Sequence, residues 1–211
     1  MTSDHSLSRR GFMLVLSSPS GAGKTTVARH ILEREKKISL SISATTRPQR
    51  PLETHGIDYH FVSPETFSKM VEEDHFLEHA VVFDHHYGTP KSFVEAHLAD
   101  GQDILFDIDW QGTQTLKQKA PTDVVSIFLL PPSLEVLETR LRNRAQDHEE
   151  TVLLRMSQAA SELSHWGEYD YVLINNDLEV AVESVLSIIR SERLKRQRQE
   201  GLPLFVRGLH A

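Results

Sequence analysis

The run Ser17-Ser18-Pro19-Ser20-Gly21-Ala22-Gly23-Lys24-Thr25-Thr26 constrains this chain more than any other stretch. Before it stands an apolar segment, Phe12-Met13-Leu14-Val15-Leu16, short enough to be a buried parallel strand. After it comes Val27-Ala28-Arg29-His30-Ile31-Leu32-Glu33, with helical spacing. Strand, glycine-bearing turn ending in Gly-Lys-Thr, then helix is the setting that a phosphate-binding P-loop requires. Gly21 and Gly23 allow the backbone to curl until successive N–H groups face phosphate oxygens. The N-terminus of the following helix adds its partial positive charge. Within the loop from Ser18 through Pro19, Ser20, Gly21, Ala22 and Gly23 to Thr25, Lys24 is expected to reach the outer phosphates and the Thr25 hydroxyl to ligate Mg²⁺. The pattern G-x-x-x-x-G-K-S/T has glycine where this chain has Ser18, and serine suits that turn entry if its φ is negative. An ordinary glycine turn is the plainer reading, but it gives no reason for the Gly-Lys-Thr ending.

Further along, Ile38 to Ser43 alternates as a strand, and Ala44-Thr45-Thr46-Arg47-Pro48-Gln49-Arg50-Pro51 is kept irregular by its prolines. That turn sets Arg47 and Arg50 three residues apart, as a solvated basic loop or as an anion site. Ile57 to Val62 reads as a short strand, Ser63-Pro64-Glu65 as a capped helix start, and Phe76 to Phe83 as another strand. These short elements have the look of a small subdomain inserted into a larger sheet. His75-Phe76-Leu77-Glu78-His79 matches a zinc-peptidase pattern, yet His75 falls at a helix end and His79 in a β-rich run, so the two are not expected to converge. His85-His86 read as turn residues, and Tyr87-Gly88-Thr89-Pro90 as a turn opening the helix Lys91 to Ala99.

Ile104-Leu105-Phe106-Asp107-Ile108-Asp109 is an apolar strand ending in acids. Ligands of parallel sheets bind at the carboxyl ends of strands, so Asp107 is the expected Mg²⁺-side partner of the loop. Val124 to Leu130 is a buried strand, Arg140 and Arg144 share one face of the next helix, and Arg155 rides on the long helix after it. Two helices with arginines around a polar tip read as a movable lid, against the plainer reading of a solvated charged face. Tyr169 to Ile174 is the last strand, ending at Asn175, and Val180 to Arg198 a helix with a basic end. Helices alternating with apolar strands give an α/β fold with a parallel sheet.

Composition narrows the function. A net charge of −7 over 211 residues argues against a nucleic-acid binder, so anionic ligands must be met by local arginines. With no cysteine, disulfides and thiolate metal sites are excluded. No apolar run approaches the ~20 residues of a membrane span, and the start lacks the apolar segment of a signal peptide, which fits a cytoplasmic enzyme.

Over nearly its whole length the chain resembles guanylate kinase. The likeness is carried by Ser17 to Thr25, Ser43-Ala44-Thr45-Thr46-Arg47-Pro48 with Arg50, Asp58-Tyr59-His60-Phe61, Phe76-Leu77-Glu78 and Tyr87-Gly88-Thr89. It continues through Asp107-Ile108-Asp109-Trp110-Gln111-Gly112 and Arg140-Leu141-Arg142-Asn143-Arg144, in the family's order. The resemblance implies a P-loop NTPase-type parallel sheet flanked by helices, with an inserted β-rich GMP-binding subdomain and a helical lid. It implies a flexible leader over 1–10 and one domain over 11–205: core 11–42, 91–138 and 168–205, GMP subdomain about 43–90, lid about 139–167. The implied reaction moves the γ-phosphoryl of ATP, with Mg²⁺, to GMP or dGMP in purine nucleotide recycling. Arg47, Arg50, Tyr59 and Tyr87 are implied as the GMP phosphate clamp, and Ser43, Glu78, Thr89 and Asp109 as guanine readers. Lys24, Arg47 and the lid arginines Arg140, Arg144 and Arg155 would serve the transferred group, and Asn175 would lie near the adenine. The acidic loop usual before the Gly56 strand is here Leu52-Glu53-Thr54-His55, a variation expected to touch no assigned role. Two alternatives stand beside this reading: a non-catalytic interaction module of the same fold, and a related kinase for ribose-phosphate compounds. No nucleic-acid or membrane partner is expected, and the basic C-terminal end leaves a homo-oligomer open.

Overall fold

The computed structural model of the chain describes residues 8–51, 53–82, 84–144 and 149–209. The buried run at Phe12 forms β1 (Met13–Ser17), and the glycine loop leads into α1 (Lys24–Arg34). After β2 (Ile38–Leu40) the chain leaves the first sheet and builds another from β3 (Ala44–Thr45), β4 (His60–Phe61), β5 (Phe76–Val82) and β6 (His85–Pro90), with α2 (Pro64–Glu72) before β5. It returns through α3 (Lys91–Ala99) to β7 (Asp103–Asp107), α4 (Trp110–Lys119) and β8 (Val124–Leu130). A helical pair follows, α5 (Leu134–Arg144) and α6 (Glu149–Leu163), then β9 (Tyr171–Ile174), α7 (Leu178–Arg193) and α8 (Leu202–Gly208).

The main sheet is parallel, in the order β2-β7-β1-β8-β9. Alternation along β1 divides the core. Leu14 and Leu16 pack with Val27 and Ile31 of α1 and Val182 and Val185 of α7. Met13 and Val15 pack with Val94 and Leu98 of α3 and Leu116 of α4. Both faces are covered, which is why these strands read as continuous apolar runs. The register sets Leu16 beside Asp107, so the glycine loop and the acidic end of β7 emerge side by side.

The small sheet has its own core of Ala44, Phe67 and Phe76, the two rings stacked at 4.6 Å between centroids. Here the structure departs from the sequence reading. His85, His86 and Tyr87 to Pro90 are strand, not turn, and pair antiparallel with β5. Gly88 is in the strand because a Cβ there would come within 2.9 Å of the Phe76 ring. The expected strand over 57–62 is reduced to β4, since Gly56 (φ 80°) and its neighbours form a turn closed from Tyr59 back to Gly56. The expected strand over 38–43 stops at Leu40, because β2 pairs only with β7 before the chain crosses to the small sheet.

Asp103 and Asp123 pin the segment before β1, and Asp103 also holds the end of α7. Arg9 grips Asp103 with bonds of 2.7 and 3.0 Å, and Arg10 grips Asp123, so the leader expected to run loose through Arg10 is anchored from Arg9 onward; residues 1–7 lie outside the described residues. α7 ends at Arg193 rather than Arg198, and Arg193 turns back onto the same Asp103 at 2.8 Å.

Candidate active site

Gly21 and Gly23 adopt φ of 90° and 100°, the left-handed backbone that a curled loop needs and that other residues resist. Room is short as well: a Cβ at Gly23 would sit 2.4 Å from the Asn175 amide nitrogen. That nitrogen donates to the Ala22 carbonyl at 2.7 Å, and Arg140 donates to the same carbonyl at 3.3 Å and to the Asn175 carbonyl at 3.4 Å. Asn175, 5% exposed, therefore braces the loop through its own side chain.

In front of the loop, Lys24 Nζ pairs with the Asp107 carboxylate and donates to the Ile108 carbonyl at 3.3 Å. The Thr25 hydroxyl donates to Asp107 Oδ2 at 3.3 Å, so hydroxyl and carboxylate oxygens adjoin as a hard cation needs. Among the described residues no cluster of three or more His, Cys, Asp or Glu could hold a metal. An ion here would complete its shell with phosphate and water, the usual arrangement for Mg²⁺. Glu162, missed in the sequence, reaches from α6 to accept the Ser20 backbone N–H at 3.1 Å. Burial pushes its pKa up, against the pull of the Ser20 amide and Lys24. A signal for it did exist: Glu162 follows Arg155 by seven residues, two turns along one face of α6.

On the small sheet, Glu78 of β5 and Thr89 of β6 face each other, and the Thr89 hydroxyl donates to Glu78 Oε1 at 2.7 Å. Glu78 is 4% exposed, and burial raises its pKa to about 6 even against the Thr89 hydrogen bond. Asp109 caps α4 through Oδ1 on the Gly112 N–H at 2.9 Å. A Cβ on Gly112 would lie 3.3 Å from Glu78 Oε2 and 3.5 Å from Asp109 Oδ1, so both carboxylates converge on this bare helix start. Across the turn, Arg47 lies 5.3 Å from the Tyr59 ring centroid, and the Tyr59 and Tyr87 rings meet at 5.9 Å. Glu53, in the loop expected to touch no assigned role, corrects that expectation: it pairs with Arg47 at 2.6 Å and accepts the Arg50 backbone N–H at 2.9 Å. Its sequence signal is faint, an acid six residues after one arginine and three after another in a proline-rich turn.

A cleft of about 1070 Å³ joins the two sides, lined by the loop from Ser18, by Ser43 and Tyr59, and by Asp107, Asp109, Arg140, Glu162 and Asn175. Arg155 is half-buried on α6; Arg144 closes α5, and its side chain lies outside what is described. His75 follows α2 while His79 is exposed on β5, so the peptidase-like spacing falls on separate elements. No helix among the described residues is long and apolar enough to cross a membrane.

The family model described as guanylate kinase matches residues 10–192. The guanylate kinase of Paramagnetospirillum magneticum is 59% identical over 96% of this chain and 95% of its own length. That of Nitrobacter hamburgensis is 60% identical over 95% and 92%. A crystal structure of guanylate kinase from Anaplasma phagocytophilum superposes with a TM-score of 0.79 at 38% identity, covering 95% of each chain.

Proposed function

The chain belongs to the guanylate kinase family and is a phosphotransferase that moves the γ-phosphoryl of ATP to GMP; we propose how its residues divide that work. The observation that carries the division is a cleft shared by the left-handed glycine loop with Lys24 and by Ser43, Tyr59 and Asp109, with Asp109 converging on Gly112 beside Glu78 of the sheltered Glu78–Thr89 pair.

The acceptor is itself a phosphate carrying about −1.5 to −2 charges, so it is a nucleophile without a general base. The difficulty is bringing two polyanions into line, which makes the chemistry mostly positioning and charge stabilisation. The amides from Ser20 to Thr25 and Lys24 hold the donor phosphates. Thr25 and Asp107 would hold Mg²⁺, which when bound neutralises charge on the donor phosphates. Arg140 and Asn175, both lining the cleft, hold the loop in shape through the Ala22 carbonyl. Arg144 and Arg155, borne on the helical pair α5–α6, bring charge to the transferred group. Arg47, Arg50, Tyr59 and Tyr87 grip the acceptor phosphate, where a planar guanidinium suits two oxygens at once.

Guanine offers N1–H and N2–H₂ as adjacent donors, and ionised Glu78 accepts from both. The Thr89 proton is spent on Glu78, which leaves Ser43 as the hydroxyl to donate to O6. Asp109 stands beside Glu78 and carries a second oxygen toward the base. Adenine lacks the donor pair and leaves a buried carboxylate unmatched, a mismatch that polar sites turn into ~10⁴–10⁵-fold selection. A coupled assay of ADP release with GMP, dGMP, AMP, UMP and sugar phosphates tests this. Turnover with the guanine nucleotides alone is expected, and equal turnover with AMP would refute the Glu78 assignment.

A further inference from the structure

Glu53 reaches back across its turn to both arginines of the acceptor clamp. Its Oε1 accepts from Arg47 Nη2 at 2.6 Å, and its Oε2 from the Arg50 backbone N–H at 2.9 Å. The turn is closed a second time by the Glu53 N–H on the Arg50 carbonyl at 3.0 Å. The ion pair is sheltered, the two side chains being 12% and 17% exposed. Arg47 Nη1 donates to the Pro48 carbonyl at 2.9 Å, and its guanidinium lies against the Tyr59 and Phe61 rings at 5.3 and 5.8 Å. The Glu53 carboxylate, with help from Tyr87, outweighs the cost of burial and raises the Arg47 pKa.

A carboxylate beside a clamp for a dianion costs electrostatic attraction, so its gain has to come from order. A guanidinium has five N–H donors, and Glu53 engages it at Nη2, which fixes the fork without using it up. The other oxygen ties the fork to the backbone of the second arginine, so one side chain sets both the Arg47 fork and the Arg50 turn. An arginine whose rotamer is chosen beforehand loses less freedom when the ligand arrives. From this we infer that Glu53 is a positioning residue for the acceptor phosphate: a bracket that holds Arg47 and the Arg50 turn in one geometry before the nucleotide binds. The inference rests on the clamp reading of Arg47 and Arg50.

Steady-state kinetics of the full chain and its Glu53→Ala and Glu53→Gln variants test it, with guanosine as a competitive inhibitor that lacks the phosphate. Glu53→Ala is expected to raise KM for GMP about tenfold, the scale of a lost charge-assisted contact, while KM for ATP and the inhibition constant of guanosine hold. Gln keeps one acceptor oxygen of the two, so it should fall between wild type and Ala. An unchanged or lowered KM for GMP in both variants overturns the bracket, a lowered one meaning that the carboxylate competes with phosphate. A guanosine constant that worsens in step with KM overturns it too, since the whole pocket would then have shifted. Wild-type protein that does not turn over GMP would instead sink the clamp reading itself, which keeps the two failures apart.

Discussion

At the scale of single residues, two positions make sharp predictions. Glu78 titrates near pH 6 in the folded chain against an ordinary 4.5, because burial disfavours its charge. The folded state thus holds that proton more tightly than the unfolded chain does. Ionising Glu78 therefore costs about 2 kcal/mol of stability above about pH 6, and this cost disappears as pH falls to the ordinary value. Guanine recognition has the opposite sign, since a neutral acid presents a donor where the base needs an acceptor. The inhibition constant of guanosine, which has no phosphate to titrate, is expected to rise as pH drops through about 6, and that rise should vanish in Glu78→Ala. A pH profile identical for wild type and variant would assign the effect elsewhere. Gly23→Ala is the second case. The new methyl meets the Asn175 amide at 2.4 Å on a backbone of φ 100°, so the loop must move. ATP affinity measured by titration calorimetry should fall by at least about tenfold, with GMP affinity retained, the cost of a strained residue being on the order of 1–3 kcal/mol. Retained ATP affinity would show the loop to be more pliant than its contacts imply.

Among elements, the strand ends and helix starts decide where chemistry goes. β7 delivers Asp107 to Lys24 and Thr25 at its C-terminal end, while at its other end Asp103 ties three elements together. Asp103 is fully buried and accepts from Arg9, Arg193 and the Phe12 N–H. Removing it in Asp103→Ala leaves Arg193 with Glu35 alone and takes the buried acceptor from Arg9 and the Phe12 N–H, and chemical denaturation should lose about 2–4 kcal/mol. Kinetic constants at a temperature where the variant is folded should barely change, because Asp103 lies at the opposite end of the strand from the cleft. A destabilisation below about 1 kcal/mol would mean that Arg9 and Arg193 find water or other acceptors. The small sheet teaches a different lesson. Tyr87-Gly88-Thr89-Pro90 carries turn residues, yet it is strand, since Gly88 makes room for the Phe76 ring and Thr89 must stand opposite Glu78. Local propensity gave way there to packing between strands.

For the molecule as a whole, the cleft lies between the P-loop side and the small sheet, with α6 in touch with the loop through Glu162 and Ser20. Under the proposed division of work, donor phosphate would compete with the Glu162 carboxylate for the Ser20 N–H, so filling the donor site would move the helix or the carboxylate. On the same proposal, closure over both substrates would exclude the water that otherwise hydrolyses ATP. The radius of gyration from solution scattering is therefore expected to fall with each nucleotide and furthest with a linked donor–acceptor analogue. A value unchanged by that analogue would contradict closure. Much of this was legible in the chain itself. The glycine loop, the parallel sheet and the acid at the end of β7 follow from local signals: glycines where φ must be positive, apolar runs where both faces are covered, acids at strand ends; the acceptor side was implied by the family resemblance alone. The bracing of the loop by Asn175, the Glu53 bracket, the Glu162 contact and the convergence of Glu78 with Asp109 did not. Each joins side chains whose partners are set by how distant segments, or the two ends of a turn, come to rest on one another. A sequence records which groups are present and their local periodicity; only packing decides which buried donor an acid meets, as Glu78 meets Thr89.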